Sequence, residues 1–343
     1  MDDKKIRTME DFAEVSGISR PTLSKYFQDP ESVRQSTRDR IETALDSYDY
    51  RPNIFAMNQN RKLTRTIGIV VPYLTDPVFG EIARTIEQQC LIAGFRAALF
   101  SSHGDRESEI EALESLRSLR PSGVLLSPLG RFSDRDYIAS FCESVPTVIF
   151  DRDMEGVGEA FVGSDNRSFV NQSVEYLTRT GEPPCFFEMK NPSNPNSIAR
   201  RENYKKTMES LGLEPVIVQV DGSGWEFERI GYEGGLKALD ERAFPTNTVL
   251  CSNDRLAIGF LAACYERGLR VGRGSGHALR VAGHDDHPQS RFSCPSLTTV
   301  AHEYDKLSEA AVQQLFDLIE SGGRFGERRV TLFPARLTLR SSA

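Results

Sequence analysis

The sequence predicts two unlike parts on one chain: an all-α helix-turn-helix head and an α/β body of two doubly wound parallel-sheet lobes. Residues 8–29 read as two short helices broken at a glycine. From Thr66 onward, apolar strand-like runs alternate with helical periods. Charge is divided unevenly: residues 1–65 hold 12 Lys/Arg against 11 Asp/Glu, and the remainder holds 30 against 38.

In the head, Thr8 followed three residues later by Asp11 marks a helix start, because the hydroxyl accepts the third N–H while the carboxylate sits at the positive end of the helix. Gly17 breaks that helix. Ser19 is placed to cap a second, whose first turn tolerates Pro21 because a proline there has no intrahelical donor to lose. Leu23 and Phe27 lie four apart and pack back on Phe12 and Ala13, which turns Arg20, Pro21, Ser24 and Lys25 outward. This is a helix-turn-helix with its second helix free to enter a groove. Ser36 with Asp39 marks a third helix start, and Ile41, Ala44, Leu45 and Tyr48 recur at the spacing that closes a three-helix core.

Composition sets bounds on the whole. A chain of 343 residues with 39 % hydrophobic and 27 % charged residues has the make-up of an ordinary soluble protein. It lacks a run of eighteen apolar residues and an apolar signal core, so the expected location is the cytoplasm, with no membrane partner. The six cysteines are scattered, mostly in apolar runs and without a C-x-x-C pair, and read as small buried hydrophobes. A net charge of −7 argues against nucleic acid until it is divided: the head nets +1 and the body −8, so attraction for phosphate is confined to one end. The cations that would deliver it are Arg20, Lys25, Arg34, Arg38, Arg51, Arg61, Lys62 and Arg65.

In the body, strand-like runs fall at 67–71, 96–100, 124–126, 147–150, 185–188, 216–220, 248–251, 279–282 and 330–333. Helical periods such as Phe79, Ile82, Ile86 and Leu113, Leu116, Leu119 lie between them. In open parallel sheets a ligand sits beyond the carboxyl ends of the strands, and with two lobes it lies in the cleft between them. Tyr73, Asp76 and Phe79 follow the first strand, Arg200 opens a helix, and Trp225, Asn253 and Asp285 each follow a later strand. An aromatic face with a planar cation, an amide and a carboxylate suits a polyhydroxylated ring. His284-Asp285-Asp286-His287 superficially offers metal ligands, but consecutive residues seldom converge on one ion, and no metal or other cofactor is expected. Gly272-x-Gly274-x-Gly276 follows a helix and has the wrong spacing for a phosphate cradle. No nucleophile motif such as G-x-S-x-G occurs, which argues against an enzyme.

The run Asp11-Phe12-Ala13, Ser16-Gly17-Ile18-Ser19, Thr22-Leu23-Ser24-Lys25 resembles the amino-terminal motif of the lactose/galactose repressor (LacI/GalR) family of bacterial transcription factors. The resemblance continues through Ile67-Gly68-Ile69-Val70, Asp165-Asn166, Asn253-Asp254 with Ala257 and Gly259, Gly283-His284-Asp285-Asp286, and Pro295-Ser296-Leu297-Thr298-Thr299. It implies a DNA-binding head at 1–52, a hinge at 53–65, and a periplasmic-binding-protein-like effector-binding and dimerisation body at 66–343. Lobe 1 is then expected at about 66–162 and 295–324, and lobe 2 at about 163–294 and 325–343.

The implied partners are double-stranded operator DNA, a small-molecule effector of carbohydrate type, and a second copy of the chain. No apolar heptads follow the last strand-like run, so a homodimer is expected rather than a tetramer. DNA contacts are expected from Thr8, Ser19, Arg20, Pro21, Ser24 and Lys25 in the head and from Asn53, Ala56, Met57, Gln59 and Arg61 in the hinge. Gln59 stands where the family has a leucine wedge and Met57 where it has an arginine, so either Met57 is the wedge or the operator centre differs. In the body, family residues matching Arg200, Trp225, Asn253 and Asp285 contact a sugar-like effector, and Asp165 and His302 join the candidates. Asn203 replaces a usual glycine between Arg200 and Tyr204. A transport-type solute-binding protein and an enzyme on a doubly wound sheet are the alternatives.

Overall fold

The computed structural model describes residues 6, 8–28, 30–48, 50, 64–192 and 195–343. The chain divides into two compact units, Met1–Thr64 and Arg65–Ala343. The hinge candidates Asn53, Ala56, Met57, Gln59 and Arg61 lie outside the described residues.

In the first unit, α1 (Met9–Ser16) opens with the expected capping box: Asp11 N–H donates to Thr8 Oγ1 at 3.1 Å, and Thr8 N–H donates to the Asp11 carboxylate at 3.0 Å. It ends at Gly17, whose φ of 62° is the left-handed conformation that glycine adopts without a Cβ penalty. α2 (Arg20–Gln28) starts from the Ser19 carbonyl, which accepts from Leu23 N–H, while the Ser19 hydroxyl pairs with that of Thr22 rather than with the backbone. α3 (Gln35–Tyr48) begins one residue before Ser36, which therefore sits inside the first turn instead of capping it.

Phe12, Ile18, Leu23, Tyr26, Val33, Ile41 and Ala44 form the core, with Ala13, Phe27 and Leu45 packed against it. Tyr48 does not join them: it is 44 % exposed at the end of α3. Tyr50 takes its place two residues later, stacked on Phe12 with ring centroids 4.5 Å apart. Helical periodicity continued one step too far, because the side chain that closes the core comes after the helix.

The second unit holds two six-stranded sheets. The first contains β1 (Thr66–Val71), β2 (Arg96–Ser101), β3 (Gly123–Leu126), β4 (Thr147–Phe150), β5 (Ala160–Ser164) and β11 (Arg329–Phe333), all parallel, in the order β11-β5-β4-β3-β1-β2. The second contains β6 (Cys185–Met189), β7 (Ile217–Val220), β8 (Thr248–Cys251), β9 (Arg280–Asp285), β10 (Thr298–Ala301) and β12 (Arg336–Thr338), in the order β12-β10-β9-β8-β6-β7, with only β12 antiparallel.

Helices cover both faces of each sheet. In the first lobe, Ile67, Ile69 and Val71 of β1 face α4 (Pro77–Ile92) and α11 (Tyr304–Glu320), while Val70 faces α5 (Arg106–Leu119) and α6 (Arg135–Ser144). In the second, Phe187 and Val249 face α9 (Phe227–Asp240) and α10 (Asp254–Glu266). Phe186 and Leu250 face α7 (Asn166–Thr180) and α8 (Pro195–Ser210). Among the described residues no helix is long and apolar enough to cross a membrane.

The strand pairings move the expected lobe boundaries. Residues 295–302 were expected in lobe 1, yet β10 pairs with β9 and β12 in the second sheet; residues 325–333 were expected in lobe 2, yet β11 pairs with β5 in the first. The chain crosses between lobes near 164–165, 302–303 and 334–335. These crossings are tied together: Asp165 N–H donates to Phe333 O at 2.9 Å, and the Ser164 hydroxyl meets His302 Nδ1 at 2.6 Å.

Candidate functional site

On the head, the outward side of α2 carries the expected groups. Ser19, Arg20, Pro21 and Lys25 are exposed and Ser24 is half-buried. Arg20 is held by Glu10 of α1 at 2.8 Å, so it must exchange that exposed partner to reach a base. Arg38 is unavailable to phosphate: its guanidinium is mostly buried and forked onto Glu31.

In the body, Asp76, Phe79, Arg200, Trp225, Asn253, Asp285 and His302 converge on one cavity at the carboxyl ends of both sheets. Asp151, Arg152, Asn196, Phe227, Arg255 and Tyr304 also line it, and sequence reasoning did not single them out; His287 lines it too, having been weighed only as a metal ligand. For Asp151 and Arg152 the signal was present, because they directly follow the strand at 147–150.

Arg200 lies in the second turn of α8, not at its start, and is 2 % exposed. Its guanidinium donates to Ser252 O at 2.8 Å and to Asp285 at 2.5 Å, and it lies 4.9 Å from the Phe169 ring centroid. Asp285 ends β9 with φ of 114°, a strained backbone held by this pairing. Burial pushes its carboxyl up, but Arg200 and the His302 hydrogen bond outweigh that and hold it well below the usual carboxylate range.

The loop behind Asp285 is pinned by Asp254. That buried carboxylate accepts from His287 N–H, the Ser290 hydroxyl and the Thr299 hydroxyl at 2.9, 2.6 and 2.6 Å. Gly283 permits the close approach, since a Cβ there would stand 2.2 Å from Asp254 Oδ1. Asn253 caps α10 through its side-chain oxygen, at 2.8 Å from Leu256 N–H, leaving its amide nitrogen for the cavity.

Two expectations end elsewhere. Asp165 caps α7 by accepting from Arg167 and Ser168 N–H and does not line the cavity. Tyr73 also lies outside the lining, but its ring packs at a tilt of 39° against Trp225 with centroids 4.3 Å apart, one ring from each lobe.

Trp225 further contacts Phe79 and Phe227, with the Arg152 guanidinium 5.6 Å from its ring centroid. Three Asp–Arg pairs surround it: Asp76–Arg255 at 3.2 Å, Asp151–Arg152 at 3.3 Å and Asp285–Arg200 at 2.5 Å. Four buried nitrogens make no hydrogen bond: Arg152 Nε, Arg200 Nε, Trp225 Nε1 and His287 Nε2. The space among these groups is only about 40 Å³, room for a few waters and well below the ~150 Å³ that takes a benzene-sized ring, and a larger cavity of about 590 Å³ shares Val78, Asp285, His302 and Tyr304 with it. Seating a sugar ring against Trp225 and Arg200 therefore requires the lobes or Trp225 to move.

The comparisons with known proteins agree with this construction. The family described as bacterial regulatory proteins, lacI family, matches residues 8–53, and the periplasmic binding protein-like domain matches residues 176–343. The chain thus joins a LacI-family regulatory head to a periplasmic-binding-protein-like domain. It is 24 % identical over 335 residues to the NTD biosynthesis operon regulator of Bacillus subtilis (strain 168), covering 98 % of this chain and 99 % of that one. It is 27 % identical over 319 residues to the ribose operon repressor of Escherichia coli (strain K12), covering 91 % and 93 %. Among solved structures, the Lac repressor dimer bound to operator and the anti-inducer ONPF superposes with a TM-score of 0.81 at 25 % identity, covering 98 % of each chain. With that head and body, this chain is a ligand-responsive, DNA-binding transcriptional regulator.

His284, behind Arg200, gives a pH test of the site. Its Nδ1–H donates to Cys251 O at 3.0 Å, and its ring stacks on Phe169. Burial, reinforced by the Arg200 charge, pushes its imidazole down to about 3. Between pH 6.5 and 3 the unfolded chain takes a proton that the folded ring refuses, so this residue costs the body stability progressively as pH falls through that window. The His284 ring signals in NMR are expected to titrate below pH 4. A midpoint near 6.5 would contradict the site as described.

Proposed function

We propose that this regulator is controlled by an uncharged sugar or polyol bound between its lobes, and that it acts as a homodimer on a pseudo-palindromic operator. The observation that carries the ligand class is the charge balance of the cavity. Three carboxylates are matched by three guanidinium groups, so an added anion or cation would face a site whose charges already have partners. What is left over is three N–H groups without acceptors, on Arg200, Trp225 and His287, beside an indole that now packs on Tyr73 and Arg152; hydroxyl oxygens and the C–H face of a ring would satisfy them together.

Two heads on a dimer reach successive major grooves, with Arg20 and Lys25 at the amino-terminal end of each α2 reading base edges. Effector binding changes how the lobes close, alters the spacing of the two hinges, and so changes operator affinity. One relative's name refers to a ribose operon, which is in keeping with a pentose or hexose as the ligand class.

A thermal-shift screen of the full chain against neutral pentoses, hexoses and polyols, with sugar phosphates and nucleobases alongside, tests the ligand class. A true effector at a hundred times its dissociation constant adds about 2.7 kcal/mol of stability. Stabilisation by neutral sugars is expected; stabilisation by charged metabolites alone overturns the assignment. On the DNA side, Arg20→Ala is expected to relax sequence choice at one base pair at a cost of about 1–3 kcal/mol. Uniform loss across operator and random duplex would show that Arg20 only contacts phosphate.

A further inference from the structure

Between the lobes lies an ion pair whose two ends are each held in place by their own lobe. Asp76 follows β1 and caps α4, its Oδ1 accepting from Val78 N–H at 3.0 Å. Its Oδ2 accepts from Arg255 of α10, in the other lobe, at 3.2 Å. Arg255 is seated independently: its Nε and the other terminal nitrogen fork onto Glu228 of α9 at 2.7 and 2.8 Å, and its guanidinium lies 5.4 Å from the Phe227 ring centroid. The Asp76 and Arg255 side chains are 9 % and 17 % exposed.

We propose that Arg255 is a latch across the cleft, releasing and re-engaging Asp76 as the lobes part and close, and so setting how easily the cavity admits a ligand. The geometry suits a reversible catch. Separation strands neither charge, because Arg255 keeps Glu228 and Asp76 keeps its helix cap while gaining water. Little side-chain freedom is lost on closing, because both groups are already positioned, unlike a typical surface pair. With about 40 Å³ beside Trp225 and Arg200, the latched form leaves no room there for a sugar ring, so the fraction of unlatched molecules scales the apparent affinity for an effector seated at that point.

The consequence for affinity rests on the effector reading above, but the latch itself is testable without any ligand. The chain has one tryptophan, Trp225, and it lines this cleft. Acrylamide quenching of the full-length protein's intrinsic emission therefore reports cleft opening. Asp76→Asn is the decisive variant, since asparagine keeps the shape and the helix cap and removes only the charge.

The quenching constant is expected to rise about two- to fourfold in Asp76→Asn, to the same extent in Arg255→Gln and in the double variant, and less in Arg255→Lys, which retains the cation. Adding 0.5 M NaCl is expected to move the wild type toward the variants and to leave the variants unchanged. Quenching in Asp76→Asn equal to wild type overturns the latch, as does a double variant that exceeds the single ones. Arg255→Gln also removes the contact with Phe227 beside Trp225, so if it alone responds, the latch is again overturned. A working latch with no sugar response refutes the effector class only, and the reverse result refutes the latch only.

Discussion

A guanidinium removed from water has to be given a counter-charge, and the pairing of buried Arg200 with Asp285 is the constraint around which the cleft is arranged. It joins a helix to the end of a strand, holds Asp285 in a backbone conformation that few non-glycine residues adopt, and brings His302, next to a lobe crossing, into the same network. Asp254 fixes the following loop from behind with three further hydrogen bonds. The polar floor of the cavity is thus set before a ligand arrives, which is what a selective site needs if binding is not to cost its ordering.

Above that floor the cleft is filled by the protein's own aromatic rings. Tyr73 and Trp225 meet from opposite lobes, and Arg152 lies against Trp225 as a cation over a π face. With the sugar proposed as effector, exchanging these contacts for its C–H face and hydroxyls would couple ligand entry to lobe geometry. A ligand controls the regulator only to the extent that it prefers one arrangement of lobes over another.

Much of this was legible in the sequence, and the failures have physical causes. Residues just beyond apolar runs gave Asp76, Phe79, Arg200, Trp225, Asn253 and Asp285, because doubly wound sheets place their sites there. The same rule applied to the strand at 147–150 would have yielded Asp151 and Arg152. Arg255 and His287 also follow strand ends, four residues after β8 and two after β9, and the same rule would have reached them. The strands β5, β10 and β12 were missed because their local pattern is weak: Gly163 lies inside β5, Thr298-Thr299 opens β10, and β12 has only three residues. Their existence and lobe depend on pairings with distant partners such as β11, which no local pattern reveals. Asp165 was misplaced because an aspartate after a strand caps a helix as readily as it binds a ligand.

The central claim is that occupancy of the Trp225 cleft and operator binding by the head are thermodynamically linked. The most direct test is to titrate full-length protein with a sugar that shifts Trp225 fluorescence, free and saturated with a selected operator, and to measure operator affinity with and without that sugar. The account predicts a change in operator affinity of about 5- to 150-fold, with the sugar's affinity changed by the same factor when DNA is bound. A sugar that fills the cleft and leaves operator affinity untouched would contradict it.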